Sequence, residues 1–172
     1  MDKLFLKEGD PKKCCRRMPP REDVLYQLAT GLEYIHKNGM IHRDIKPQNV
    51  LIWVNPKNEQ VLMKWADFGL SKEVNERGTC SMSGVKGTHN WLAPELLKIL
   101  MPVIEESIDG STSSLRHRGT IKSDVFAEGL VFGYFYLEGE HIFGPAIIDN
   151  IMKNNPVNIT SKLKSSILII TN

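Results

Sequence analysis

Three short strings in this 172-residue sequence hold residue types suited to chemistry on phosphate: His42-Arg43-Asp44-Ile45-Lys46-Pro47-Gln48-Asn49, Asp67-Phe68-Gly69 and Ala93-Pro94-Glu95. Moving a phosphoryl group asks a protein for little covalent chemistry. It asks for a positioned hydroxyl and for cations that offset charge on the phosphate oxygens. The carboxylates of Asp44 and Asp67, the amide of Asn49 and the ammonium of Lys46 are groups that can do both, since Mg²⁺ takes hard oxygen ligands. Each string alone has a plainer reading: a His-Arg-Asp triplet is more often a surface turn, and Asp67 an ordinary strand-end acid. Their joint order and spacing favour the chemical reading.

For those groups to meet, several elements must place them. Leu25, Leu28, Leu32 and Ile35 recur at spacings of three and four, which predicts a helix over Arg21 to Lys37. Asn38 and Gly39 end it, because both tolerate the left-handed conformation. Val50 to Val54 and Val61 to Trp65 flank Asn55-Pro56-Lys57-Asn58 and predict a β-hairpin. Ser71 to Gly87 is polar and without period, so it is expected to be a mobile surface segment. Leu92 to Met101 predicts a short helix entered through Pro94, and Glu105 to Thr120 a long, fraying loop. Asp124 to Leu137 is nearly all apolar and predicts a helix buried on every side.

The order of the strings resembles the catalytic loop, the metal-binding triplet and the end of the activation segment of eukaryotic protein kinases. The resemblance implies an α+β fold: the larger, C-terminal lobe of a kinase, mainly helical with a small β-hairpin at the active site, over residues 1–160, with 161–172 a poorly ordered tail. It implies ATP and Mg²⁺ as cofactors. Asp44 would accept or orient the proton of the attacking hydroxyl, Lys46 would meet the γ-phosphate, and Asn49 and Asp67 would hold Mg²⁺. Lys46, two places after Asp44, and Gly87-Thr88 before Ala93 follow the Ser/Thr pattern rather than the Tyr pattern.

The same resemblance assigns supporting roles. His42 would brace the loop, Phe68 would pack beneath the Asp67-Phe68-Gly69 triplet, and Asp124 would accept backbone N–H bonds from the catalytic loop. Arg43 would pair with a phosphate on the activation segment, which makes Thr79, Ser81, Ser83 and Thr88 candidate phosphosites. In kinases the glutamate of Ala-Pro-Glu is pinned by an arginine near the domain's C-terminal end. No match for that arginine follows Asn155, so Glu95 is expected to be unpaired. His36, His89, His117 and His141 have no partner spacing and read as ordinary histidines.

Gly87-Thr88-His89-Asn90-Trp91-Leu92-Ala93-Pro94-Glu95 and Glu138-Gly139-Glu140-His141-Ile142-Phe143-Gly144 resemble the inositol-requiring kinase/endoribonuclease family of the unfolded protein response. Ile142 stands where that family has proline, and Glu128 where a small residue is usual. The likeness implies nucleotide binding, phosphorylation of a protein substrate or of itself across a dimer with a second kinase, and a cytoplasmic location. No part of an RNase domain is recognisable, so neither RNA cleavage nor nucleic-acid binding is expected.

Composition sets outer bounds. With 41% apolar and 24% charged residues the chain can bury a core, and a formal charge of +2 gives no field strong enough to argue for a nucleic-acid or acidic-membrane partner. Three cysteines, Cys14, Cys15 and Cys80, fit neither a disulfide framework nor zinc and suit a reducing compartment. The longest apolar run near an end, Ile167 to Ile170, is too short for a membrane segment. No Gly-rich loop, ATP-contacting lysine or partner glutamate precedes Arg43, so the N-terminal lobe is expected to be absent. Three alternatives follow: a kinase of low activity, a non-catalytic pseudokinase-like module that binds a full-length kinase, or a fragment of a longer gene product.

Overall fold

The computed structural model describes residues 1–12, 18–81, 84–106 and 118–159, with the backbone alone described at 101–106 and 118. Cys14, Cys15, Ser83 and the tail 161–172 lie outside the described residues, as does the middle of the expected loop between Glu105 and Thr120. The fold is α+β, with four α-helices and three separate two-stranded sheets among the described residues.

Helix α1 (Arg21–Lys37) buries Val24, Leu25, Leu28, Leu32 and Ile35 on one stripe. Glu22 and Asp23 sit in its first turn and His36 and Lys37 in its last, both favourable to the helix dipole. Of the two expected stop residues only Gly39 takes positive φ, at +71°. Asn38 stays at φ −85° and caps instead, its side-chain amide donating to the Tyr34 carbonyl at 2.8 Å.

Strand β1 (Met40–Ile41) follows, then the hairpin of β2 (Val50–Val54) and β3 (Val61–Trp65), paired antiparallel from Val50↔Trp65 to Val54↔Val61. The hairpin is fastened to α1 by polar contacts. Trp65 Nε1 donates to the Leu28 carbonyl at 3.0 Å, and the Met63 N–H to Gln27 Oε1 at 2.7 Å.

The expected mobile segment from Ser71 to Gly87 is instead partly paired. Strand β4 (Lys72–Glu73) bonds to β1, and β5 (Thr79–Ser81) bonds antiparallel to β6 (Arg118–Thr120). Cys80 is buried in the process. Both strands are too short to show a period, and their partners lie far away in sequence, so only tertiary pairing defines them.

Helix α2 (Pro94–Glu106) begins at Pro94 as expected but runs past Met101. Helix α3 (Ile121–Tyr136) is central, and α4 (Ile147–Met152) closes one end of a core that extends from Met1 to Ile151. The expectation of burial on every side of α3 needs correction. Lys122, Val125 and Gly129 are exposed, Val125 by 54%, so one narrow stripe faces solvent.

Gly133 on the buried side of α3 is forced by packing. A Cβ there would lie 2.1 Å from Ile142 Cγ2. Gly133→Ala is therefore expected to destabilise the chain by about 1–3 kcal/mol through overpacking. In urea denaturation the double variant Gly133→Ala/Ile142→Ala should lose less than the sum of the two single losses. Strict additivity would show that the two side chains do not compete for this space.

Candidate functional site

Asp124, in the first turn of α3, organises the catalytic-loop segment. Its Oδ2 accepts the His42 N–H at 2.7 Å and its Oδ1 the Arg43 N–H at 2.9 Å, and His36 Nε2 lies 3.0 Å from Oδ2. The carboxylate is almost fully buried, which is tolerable because both oxygens are hydrogen-bonded. Aiming two successive N–H groups at one carboxylate turns the chain sharply. Arg43 sits at φ +71°, a region that non-glycine residues rarely adopt.

His42 is fully buried behind this turn. Its Nδ1 accepts the Asp44 N–H at 3.3 Å, so the ring proton belongs on Nε2, which lies 3.0 Å from the Ala66 carbonyl. The imidazole thus joins the loop to the segment that carries Asp67. Phe68 stands against the His42 ring, 4.9 Å between centroids, yet is 44% exposed, so it flanks the triplet rather than packing beneath it. No glycine but Gly69 precedes Leu70 in this turn, and its N–H reaches back to Asp67 Oδ1 at 3.4 Å.

Asp44 is the most heavily bonded carboxylate of the site. Oδ2 takes Lys46 Nζ at 2.6 Å and Asn49 Nδ2 at 3.1 Å, while Oδ1 takes the Thr88 N–H at 3.1 Å and the Thr88 hydroxyl at 2.9 Å. Burial pushes its pKa up, but the bonds from Lys46, Thr88 and Asn49 outweigh that and hold the carboxyl below its ordinary value. All four acceptor positions of the carboxylate are filled. Lys46 Nζ also donates to Thr88 Oγ1 at 2.8 Å, closing a triangle.

Thr88 reaches Asp44 because the chain before it passes very close to the catalytic loop. Gly87 has φ +115°, and a Cβ on it would lie 2.7 Å from the Arg43 carbonyl oxygen. The sequence pattern marked Gly87 and Thr88 as a substrate-class signature and Thr88 as a candidate phosphosite, not as a partner of Asp44. The geometry makes Thr88 part of the Asp44 cluster, and it speaks against Thr88 as a phosphosite, since phosphate there would set like charges together. Of the other candidates, Thr79 donates its hydroxyl to Asn75 Oδ1 at 3.0 Å, and Ser81 is exposed at the end of β5. Arg43 makes no ion pair among the described residues.

Asn49 and Asp67 are brought to the same end of the hairpin. The Ala66 N–H donates to the Asn49 carbonyl at 2.9 Å, and the register pairs Val50 with Trp65. Asn49 spends its side-chain N–H groups on Asp44, at 2.8 Å to the main-chain carbonyl and 3.1 Å to Oδ2. That leaves its Oδ1, the atom a hard cation takes, without a donor among the described residues. Asp67 is exposed at φ +65°. An amide oxygen and one carboxylate fit Mg²⁺, which is usually held by one or two carboxylates with waters and phosphate oxygens. Among the described residues no group of three His, Cys, Asp or Glu could hold a metal by itself.

Glu95 makes no ion pair among the described residues, yet it does not lack a hydrogen bond. It is exposed, and its Oε1 accepts the Ser123 hydroxyl at 2.8 Å, one residue before Asp124. Two histidines that sequence reasoning set aside also support the site. His36 backs Asp124, and a signal was present: Leu28, Leu32 and His36 follow each other at i, i+4 and i+8 on the buried face of α1. His141 lies 3.1 Å from the Asn90 carbonyl and edge-on to Trp91, and burial lowers its pKa despite that backbone bond. Its only sequence signal was membership of the Glu138 to Gly144 string.

Glu128, one turn beyond Asp124, is buried, and its Oε1 has no hydrogen-bond partner among the described residues. Burial, and then the Asp124 charge, push its pKa up to about 8.

A family model described as protein kinase domain matches residues 6–168. The chain is similar to the serine/threonine-protein kinase/endoribonuclease IRE2 of Homo sapiens, 38% identical over 129 residues, 73% of this chain and 12% of that protein. It is also similar to the serine/threonine-protein kinase/endoribonuclease IRE1 of Hypocrea jecorina, 34% identical over 137 residues, 70% of this chain and 11% of that one. A third likeness is to the sensor for unfolded proteins in the ER ire1 of Schizosaccharomyces pombe, 32% identical over 142 residues, 77% of this chain and 13% of that one. The chain therefore spans about an eighth of the length of these relatives. No helix among the described residues is long and apolar enough to cross a membrane.

The raised pKa of Glu128 makes stability depend on pH with a definite sign. Between its unfolded value of 4.5 and about 8 the folded chain binds the extra proton, so stability falls as pH rises through that window. The slope contributed approaches about 1.4 kcal/mol per pH unit. Urea denaturation of wild type and Glu128→Gln at several pH values should show their difference growing steadily in favour of the variant as pH rises. A difference that stays constant would show that Glu128 titrates normally.

Proposed function

This chain belongs to the protein kinase domain family, and on that premise we propose that its Asp44 cluster transfers a phosphoryl group from ATP to a serine or threonine hydroxyl of a protein. The observation that carries the reading is the shared hold of Lys46, Asn49 and Thr88 on one carboxylate. Similarity to proteins named serine/threonine-protein kinases supports the residue class of the substrate. The endoribonuclease part of those names is not carried over.

The chemistry follows from the filled state of Asp44. An incoming hydroxyl can bond to this carboxylate only by displacing Lys46, Asn49 or Thr88. Lys46 is the group with somewhere else to go, because an ammonium that leaves a carboxylate can meet a phosphate oxygen. Its departure removes the strongest support for the charge on Asp44, so the carboxylate becomes a better proton acceptor when substrate phosphate is present. Thr88 remains to fix the orientation of Oδ1. Mg²⁺–ATP, when bound, supplies the phosphoryl group and the cation that offsets its charge, with Asn49 Oδ1 and Asp67 as the protein ligands.

Phosphorylation of a second copy of the chain, a kinase partner for it, and a location facing the cytosol extend the same reading. They rest on likeness to kinases one of which is named a sensor for unfolded proteins in the ER. The competing reading, a non-catalytic module that binds a kinase, shares the fold and differs in the role of Asp44.

Transfer of radiolabelled phosphate from Mg²⁺–ATP to the chain itself and to a generic Ser/Thr substrate tests this. Asp44→Asn is expected to lower the rate by about 10²-fold or more. Equal signal from wild type and Asp44→Asn would end the catalytic claim and leave the non-catalytic module. Nucleotide binding is read separately by thermal shift, where ligand at 100-fold over its Kd stabilises by about 2.7 kcal/mol. Asp67→Ala should remove the Mg²⁺-dependent part of that shift.

A further inference from the structure

A cavity of about 390 Å³ opens to solvent between α1 and α3. Leu32, Ile121 and Val125 are among its walls, and Glu128 lines it. The charged groups around it are otherwise matched. Glu33 and Lys37 pair with each other at 2.7 Å, and His36 pairs with Asp124 at 3.0 Å. Glu128, 8% exposed, has an oxygen with no hydrogen-bond partner among the described residues. A buried acceptor left unmatched costs stability unless something fills the vacancy in its hydrogen bonding.

We propose that this cavity binds an aliphatic cation, a primary alkylammonium group whose stem lies along Leu32, Ile121 and Val125 and whose head pairs with Glu128. An anion is disfavoured, because the one ammonium at the rim, Lys37, is already engaged by Glu33. A purely apolar ligand would leave the carboxyl unsatisfied. The shared chemistry has two sources, a free aliphatic amine or a lysine side chain presented by a polypeptide. The proposal does not depend on phosphoryl transfer.

Binding should carry a proton signature. The groups facing Glu128 are Asp124 on its own helix and Glu33, His36 and Lys37 on α1. With its pKa pushed up to about 8, Glu128 is largely protonated in the empty cavity at neutral pH. An ammonium beside it favours the carboxylate, so the cation binds as a proton leaves.

Isothermal titration of the whole chain at neutral pH, in two buffers of different ionisation enthalpy, tests this. The ligands are n-butylammonium chloride, n-butanol and Nα-acetyl-lysine N-methylamide. Saturable binding of n-butylammonium with proton release is expected, weakened by about tenfold or more in Glu128→Gln, the change that loss of one ion pair of about 1.4 kcal/mol produces. Glu33→Gln should keep the proton release. Tighter binding of the lysine derivative than of n-butylammonium assigns the site to a polypeptide side chain, and the reverse order to a free amine. Val125→Lys, which puts an ammonium one turn from Glu128 within the chain itself, should block n-butylammonium and lower the Glu128 pKa seen by carboxyl NMR. The idea fails if n-butanol binds as tightly as n-butylammonium, if Glu128→Gln binds unchanged, or if millimolar n-butylammonium gives no heat.

Discussion

The carboxylate of Asp124 accepts N–H bonds from two consecutive residues, and most of the site geometry follows from that constraint. To present both His42 and Arg43 to one acceptor, the backbone must turn through a left-handed residue at Arg43, φ +71°. Such a conformation in a non-glycine residue persists only where surrounding bonds over-determine it. Here they do so from three directions: α3 supplies Asp124, α1 supplies His36 behind it, and the His42 ring ties the turn to the Ala66 carbonyl. Asp44, the next residue, therefore leaves the turn with little freedom in its direction.

On the far side of that turn the balance is electrostatic. A carboxylate as buried as Asp44 would tend to hold its proton, but Lys46, Thr88 and Asn49 give the charged form more than burial takes away. Two of those partners come from within the same loop, whereas Thr88 arrives from the strand-poor segment before α2. Its arrival depends on a residue without a Cβ at Gly87, packed against the Arg43 carbonyl. The same turn that Asp124 imposes thus also shapes the surface on which the later segment docks. Ser123 and Glu95 fasten the end of that segment to the helix that carries Asp124.

Helix α3 holds two carboxylates one turn apart with opposite fates. Asp124 has both oxygens hydrogen-bonded, while Glu128 is buried with an oxygen unmatched among the described residues and its proton held by burial and by its neighbour. The charge of Asp124 that organises the catalytic loop is one cause of the strain at Glu128. A small residue at that place would relieve it, so the glutamate is a local conflict inside an otherwise consistent helix, the kind of departure that often marks function.

Much of this molecule is written in local pattern. The 3.6-residue stripe of α1 and the two β-branched runs around Asn55 to Asn58 specify elements found at the expected residues, because neighbouring residues decide helices and hairpins. The spacing of Asp44, Lys46 and Asn49 likewise reveals a shared site, since six consecutive residues of one loop cannot stray far apart. What the sequence left open involves partners distant along the chain. The pairing of β4 and β5, the bond of Ser123 to Glu95 and the entry of Thr88 into the Asp44 cluster have no local signature, and the helical spacing of His36 marks its face but not its partner. Glu128 could be seen as an odd residue in an apolar helix, yet only packing of α1 against α3 decides that its carboxyl is buried with an oxygen that finds no partner among the described residues. Burial and hydrogen bonding are properties of what comes together in space, and a linear sequence states them only where the partners are also neighbours along the chain.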